Sequence, residues 1–234
     1  KPVTFVLKQG PDVNKLIPDD VTSVVFTDEE MPDGADVIDM DADGDGGVVG
    51  WVDNQCLKIS TQVDGIKIAF NTSAQSMFSL KKNLTNIQFD NIDTANTTSM
   101  AYMFQGCKNL TNMDLSMFIT PKLTGMQGMF SDCNSLTSID LSSLDTSRVM
   151  YMNSVFKNCI NVTEINVSSF NTAKVINMGD MFNYCSKLES LDLSSFDTSS
   201  VTSMGYMLFH CSALKNLDIS NFKTSKVTTF VGMF

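Results

Sequence analysis

Histidine is almost missing from this chain: His210 is the only one in 234 residues. That shortage removes zinc sites built on His/Cys spacing, and a Cys–His dyad would have to use the adjacent Cys211, although neighbouring residues on a helix point apart. Basic residues are also few, 16 Lys and Arg against 26 Asp and Glu, leaving a formal charge of −10. Nucleic acid is therefore disfavoured as a partner, because phosphate binding needs a cationic surface. Basic or cationic partners fit better. No apolar run approaches the ~18 residues of a membrane span, so no membrane insertion is expected of this fragment, and no signal-peptide pattern opens it. A start at Lys1-Pro2 without Met reads as a mature or excised piece.

What is present is a beat. Cys107, Cys133, Cys159, Cys185 and Cys211 are each 26 residues apart, and other columns keep the same interval. Met100, Met126, Met152, Met178 and Met204 form one; Phe104, Phe130, Phe156 and Phe182 form another, with Leu208 next. A third set, exemplified by Leu188, Leu191 and Leu193, reads L-x-x-L-x-L, a strand signature of leucine-rich repeats. A fixed period of this length predicts a solenoid, in which a lone rung cannot bury its apolar columns and stacking makes them continuous. The repeats run 74–99, 100–125, 126–151, 152–177, 178–203 and 204–229, and 230–234 begins a seventh, which reads as cut short.

Within a rung, the segment around Leu191 and Leu193 has strand alternation, while Met178, Met181, Phe182 and Cys185 lie at i, i+3, i+4 and i+7, the spacing of one helix face. Asp197-Thr198-Ser199 is turn and helix-start chemistry, with short oxygen side chains that can satisfy the free N–H groups of a first turn. The expectation is an α/β repeat: a leucine-rich-repeat-like solenoid with a parallel strand and a short helix per rung. Residues 1–73 lack the beat and are rich in acid, so they read as a β-rich N-terminal cap. Strand-like runs occur at Val3–Leu7, Val21–Phe26, Val37–Met40, Val48–Val52, Leu57–Ser60 and Ile66–Phe70, with a short helix near Val13–Leu16. Val21, Val24 and Phe26 mimic the rung spacing.

Three groups are candidate sites. Asp114, Asp140, Asn166, Asp192 and Asp218 occupy one exposed strand position and would form a vertical column, either shaping turns through hydrogen bonds to the following Ser or presenting an acidic, hydroxyl-rich strip for recognition. Asp41, Asp43 and Asp45, with Gly46, match the first half of a calcium loop, but position 12 is Val52 and strand-like sequence surrounds it, so a Gly/Asp turn competes with metal binding. Calcium is the only cofactor this suggests. The cysteine column reads as buried free thiols, since parallel Cα–Cβ vectors keep stacked Cβ atoms near ~4.8 Å where a disulfide prefers ~3.8 Å. Thr94, Thr120, Thr146, Thr172, Thr198 and Thr224 read as a hydroxyl ladder.

The unit LDLSSFDTSSVTSMGYMLFHC, echoed in IDLSSLDTSRVMYMNSVFKNC, resembles the repeat of BspA-like bacterial surface proteins over about two thirds of the chain, and GDGGVVGWVDNQCLKIS resembles the stretch that precedes such repeats. The resemblance implies an extracellular, cell-wall-displayed protein engaged in adhesion or host-protein contact, and names no ligand. With no nucleophile–base constellation in the sequence, the expected function is non-catalytic binding through the acidic strand face. A passive spacer displaying another domain and a calcium-stabilised surface module are the alternatives.

Overall fold

The computed structural model describes residues 2–234. Its elements are one helix, α1 (Gly10–Leu16), and ten strands: β1 (Ser23–Thr27), β2 (Ile38–Asp39), β3 (Val49–Asp53), β4 (Cys56–Ser60), β5 (Ile68–Ala69), β6 (Asn86–Phe89), β7 (Ile92–Asp93), β8 (Asn112–Met113), β9 (Ser138–Asp140) and β10 (Glu164–Asn166). The expected helix in each rung is absent. Beyond α1 the described chain is strands, turns and extended segments in mixed sheets, so the α/β class is overturned in favour of a β-dominated coil with one short helix.

Backbone hydrogen bonds explain the correction. In the segment read as helical, Met178, Asp180, Phe182 and Tyr184 donate their N–H groups to the carbonyls of Ser203, Gly205, Met207 and Phe209, 2.8–3.0 Å away in the next coil. The alternate groups, on Met181, Asn183 and Cys185, close i→i−3 turns onto Met178, Asp180 and Phe182. None is left for an i→i−4 ladder. Asp180 and Tyr184 also have φ of 58° and 60°, and a right-handed helix cannot pass through left-handed residues. An eight-residue span is too short to hold helix by itself, so bonds to neighbouring coils win. Met178, Met181, Phe182 and Cys185 are nevertheless all buried, because successive four-residue turns reproduce the same inward spacing.

The same arrangement recurs along the stack. Isolated parallel bridges link Ser73, Ser99, Gly125, Tyr151, Asn177, Ser203 and Thr229 in series, each 26 residues from the last. Phe78, Phe104, Phe130, Phe156 and Phe182 stack ring on ring at 5.3–6.1 Å with interplanar angles of 3–16°. This offset stacking of identical rings adds to the area each buries. Strand pairing weakens along the chain: β6 pairs with β8, β9 with β10, and no strand follows Asn166 among the described residues.

The N-terminal region enters this geometry. β1 pairs in parallel with β6, Val24 beside Ile87 and Phe26 beside Phe89, so the cap supplies a rung of its own. β4 lies outside β1, and β3 turns back antiparallel through Asn54 and Gln55, both at positive φ as a tight hairpin requires. The six-stranded sheet thus runs β2-β3-β4-β1-β6-β8.

Helix α1 covers a second exposed end. Because the turn-line N–H groups that leave a coil point toward the C-terminal neighbour, carbonyls of the first repeat point at the cap. Gly10 N–H donates to Ser73 O at 2.8 Å, and Asn14 Nδ2 donates to Met77 O at 3.2 Å and to Ser76 O and Ser79 O, each at 3.0 Å. A Cβ on Gly10 would lie 2.2 Å from Gln75 O, so glycine is required for this approach. Lys81, standing where later coils have cysteine, donates to Ile17 O at 2.8 Å and pairs with Asp19. Asn14→Ala should therefore leave carbonyls without a donor and cost about 2 kcal/mol, measured as a lowered urea midpoint with unchanged slope.

Candidate functional site

The strand-face column is built from turns. Asp114, Asp140, Asp192 and Asp218 each accept, through Oδ1, the backbone N–H of the serine two residues on, at 2.9–3.0 Å, and Asn166 Oδ1 accepts that of Ser168 at 3.2 Å. These are Asx turns, and they end the strand line at each coil. All four Asp residues are exposed. Donors from Ser116, Ser142 and Ser220, backbone before hydroxyl, hold the pKa of Asp114, Asp140 and Asp218 below the ordinary carboxylate value, and the Ser194 hydroxyl and then its backbone do so for Asp192. Asp140 also accepts Asn166 Nδ2 at 3.0 Å, a direct contact between coils within the column. The carboxylates are therefore ionised at neutral pH.

Shallow grooves follow the same line. The largest, 390 Å³, is bordered by Asn86, Gln88, Asp90, Asn112, Asp114 and Asp140. Others of 190–240 Å³ lie beside Asp114, Asn166 and Asp192 to Asp218. The structure thus brings the five predicted column residues onto one groove-lined polar face.

A second turn column stands at the position of Asp197-Thr198-Ser199. Asp145 and Asp197 accept the N–H groups of Ser147 and Ser199 at 2.9 Å, and Asn171 accepts that of Ala173. The D-T-S segment forms the turn, and the helix it was expected to open does not follow. Between these turns runs the threonine ladder. Thr146 Oγ1 donates to Asn171 O and accepts Asn171 N–H, Thr172 does both with Asp197, and Thr198 does both with Lys223. One hydroxyl thus satisfies both backbone groups of a residue in the next coil.

The thiols of Cys107, Cys133, Cys159, Cys185 and Cys211 each donate to a phenylalanine carbonyl at 3.1 Å, and no disulfide links them. Burial pushes Cys107 up to about 12 and Cys211 up to about 11, and drives Cys133, Cys159 and Cys185 in the same direction. Thiolate chemistry is suppressed there. His210 lies against the rings of Tyr184 and Phe209, at 4.5 and 4.1 Å.

At the other end of the molecule a carboxylate oxygen from each of Asp41, Asp43 and Asp45 lies within 4.8 Å of the others. Asp41 is wholly buried and the other two are exposed. Burial pushes the Asp41 pKa above the ordinary carboxylate value, and the Asp45 and Asp43 carboxyls beside it push the same way. Val52 is tied into the β3–β4 pair opposite Leu57, so it contributes nothing to this loop. Among the described residues no helix is long and apolar enough to cross a membrane.

Two outcomes are expected. A thiol reagent applied to the native chain should label Cys56 first and Cys211 slowly, with the other four reacting only on unfolding; mass spectrometry of labelled peptides checks this. Carboxylates held below their unfolded value near 3.9 stabilise the fold at neutral pH, and that contribution is lost as pH falls through the folded value. Urea midpoints should therefore hold above about pH 5 and fall below about pH 4, with the decline flattened when Asp114 and Asp140 are replaced by Asn.

No curated protein matches the chain, and no solved structure does. One family does match, that described as Mycoplasma protein of unknown function, DUF285, over two overlapping stretches, 54–163 and 126–234. The matched region begins at β4, inside the stretch read from the sequence as cap, and runs through every repeat. Spanning well over half of the residues with a repeat-containing family, it shows that the chain belongs to the DUF285 family.

Proposed function

We propose that the chain is a non-catalytic binding module of a bacterial surface protein, holding an extracellular protein partner against its acidic strand face. The observation that carries the reading is the column itself: ionised carboxylates at Asp114, Asp140, Asp192 and Asp218, at one position of successive coils with Asn166 interrupting them, exposed on one groove-lined face. A periodic array of like charges on a rigid support suits an extended basic segment, whose lysines or arginines can meet successive carboxylates. Suppressed thiols and a histidine engaged with two rings fit a surface that binds without chemistry. The resemblance to BspA-like repeats supports surface display and host contact.

Replacing the four Asp residues by Asn tests this directly, because Asn166 already makes the same turn with an amide oxygen. Parent and variant would be compared for binding to a panel of extracellular-matrix proteins at two salt concentrations. The parent's salt-dependent binding should fall by about tenfold or more in the variant, since four exposed pairs at ~0.2–1 kcal/mol each are lost. Equal binding of the two proteins to every partner would remove the acidic face from the function and favour a spacer.

A further inference from the structure

Charge is laid out unevenly along the chain. Residues 1–73 carry 14 acidic and 5 basic residues, whereas 74–234 carry 12 and 11, so the stack is close to neutral and nearly all of the excess sits in the cap. Within the stack, however, the two signs are sorted. Eight residues after each position of the acidic column stands a second column, Lys122, Arg148, Lys174 and Lys226, all exposed. Ser200 interrupts it as Asn166 interrupts the acidic one.

The threonine ladder separates the two columns in each coil, with Thr120, Thr146, Thr172 and Thr198 buried between them. Among the described residues no salt bridge joins one column to the other. Lys122 donates to Asn96 Oδ1 in the preceding coil at 2.6 Å, and Arg148 has Asp145 of its own turn nearby. Lys174 and Lys226 form no salt bridge at all. One molecule thus presents two complementary stripes that do not satisfy each other.

We infer that the acidic column of one copy pairs with the basic column of a second copy, the two solenoids lying side by side and antiparallel. The inference rests on the reading of the acidic face as a protein-contact surface, and names a partner for it. Two columns of one solenoid share its period automatically, so the charges of a second copy fall into step with those of the first at every coil. An unrelated basic segment has to match the coil spacing by its own geometry. Antiparallel alignment sets Asp140 against Lys226, Asp192 against Lys174 and Asp218 against Arg148, and it sets Asn166 against Ser200, so the two neutral residues meet. A parallel pairing staggered by one coil also matches the columns, but it brings two strongly acidic caps to the same end. Antiparallel copies hold the caps apart, and like-charge repulsion decides between the two. Exposed ion pairs are individually weak, so the contact is weak and salt-sensitive in solution. It gains force where copies stand side by side at high local concentration, as surface display would hold them.

Sedimentation of the whole chain at about 1 mM, in low and in high salt, would be compared with two variants. One carries Asp140→Asn, Asp192→Asn and Asp218→Asn, the other Arg148→Gln, Lys174→Gln and Lys226→Gln; Asn166 and Ser200 already show that neutral residues fit both columns. The parent's mass should rise above the 25.7 kDa of one chain in low salt and return to it in high salt. Each variant alone should associate about tenfold more weakly, and their equimolar mixture should regain the association as a one-to-one pair. A parent that stays monomeric would overturn the pairing, as would a variant that associates like the parent or a mixture no better than its components. Carbodiimide, which joins a carboxylate to an amine it touches, should link Asp140 to Lys226 and Asp192 to Lys174 between copies. Links from Asp140 to Lys174 and from Asp192 to Lys226 would overturn the antiparallel arrangement. The basic-column variant keeps its acidic face, so its binding to matrix proteins tests the earlier reading separately. A parent that binds matrix proteins yet never self-associates overturns the pairing alone.

Discussion

The structure depends on peptide groups that are spent sideways. In a helix each N–H finds its acceptor a turn away in the same segment, and the element is self-sufficient. Here four N–H groups of each turn line in the first five repeats find theirs one coil further on, so a coil is saturated only between two neighbours. The alignment that makes these bonds also places Phe on Phe, Cys on the carbonyl behind it, and Thr on the backbone ahead of it. Core, turns and ladder are consequently one cooperative system. The bonds are also polar in direction, and one end of the stack therefore presents carbonyls. That polarity gives the cap a specific task, met by the Gly10 N–H, the Asn14 amide and the Lys81 ammonium.

This backbone course has a cost, visible in the left-handed residues. Two positions per coil have positive φ, one set including Tyr102, Ser154, Asp180 and Tyr206, the other Leu80, Asp132, Asn158, Tyr184 and His210. A bulky L-residue in that region gives up roughly 1–2 kcal/mol. Asn and Asp tolerate it better, and Gly106 and Gly128 avoid it. Gly128 has a further reason: a Cβ there would stand 2.4 Å from the ring of Tyr102, which lies across it. Lateral hydrogen bonds and buried columns outweigh the strain because both recur in every coil.

How much of this could be read from the residues depended on whether the relevant partner was local. The columns were legible because each is a periodic statement in one dimension, and Val24 and Phe26 betrayed the rung inside the cap by the same spacing. The helix was misread because Met178, Met181, Phe182 and Cys185 satisfy two geometries alike, and the deciding bonds go to residues 25 positions away. Asn14 carried no signal at all, since its acceptors lie 62–65 residues downstream. Asp41 stood out by motif, yet only three dimensions reveal that one of its oxygens is enclosed without a donor.

The acidic face carries a tension that the numbers resolve. Each Asp of the column forms an Asx turn, and a charged acceptor strengthens that bond relative to an amide. Lining up like charges about one coil apart opposes this by ~1 kcal/mol or less once water and salt screen them. The turn donors win modestly, since all four carboxyls are held below the ordinary carboxylate value and the repulsion between coils is the smaller effect. Asn166 makes the point within the same molecule: it forms the turn without charge and reaches back to Asp140. Turn formation therefore requires an oxygen at this position and does not require an anion. The four carboxylates go beyond what the turn itself needs, and besides a modest stabilisation they contribute a field of one sign along one face, where its effect falls on whatever approaches that face.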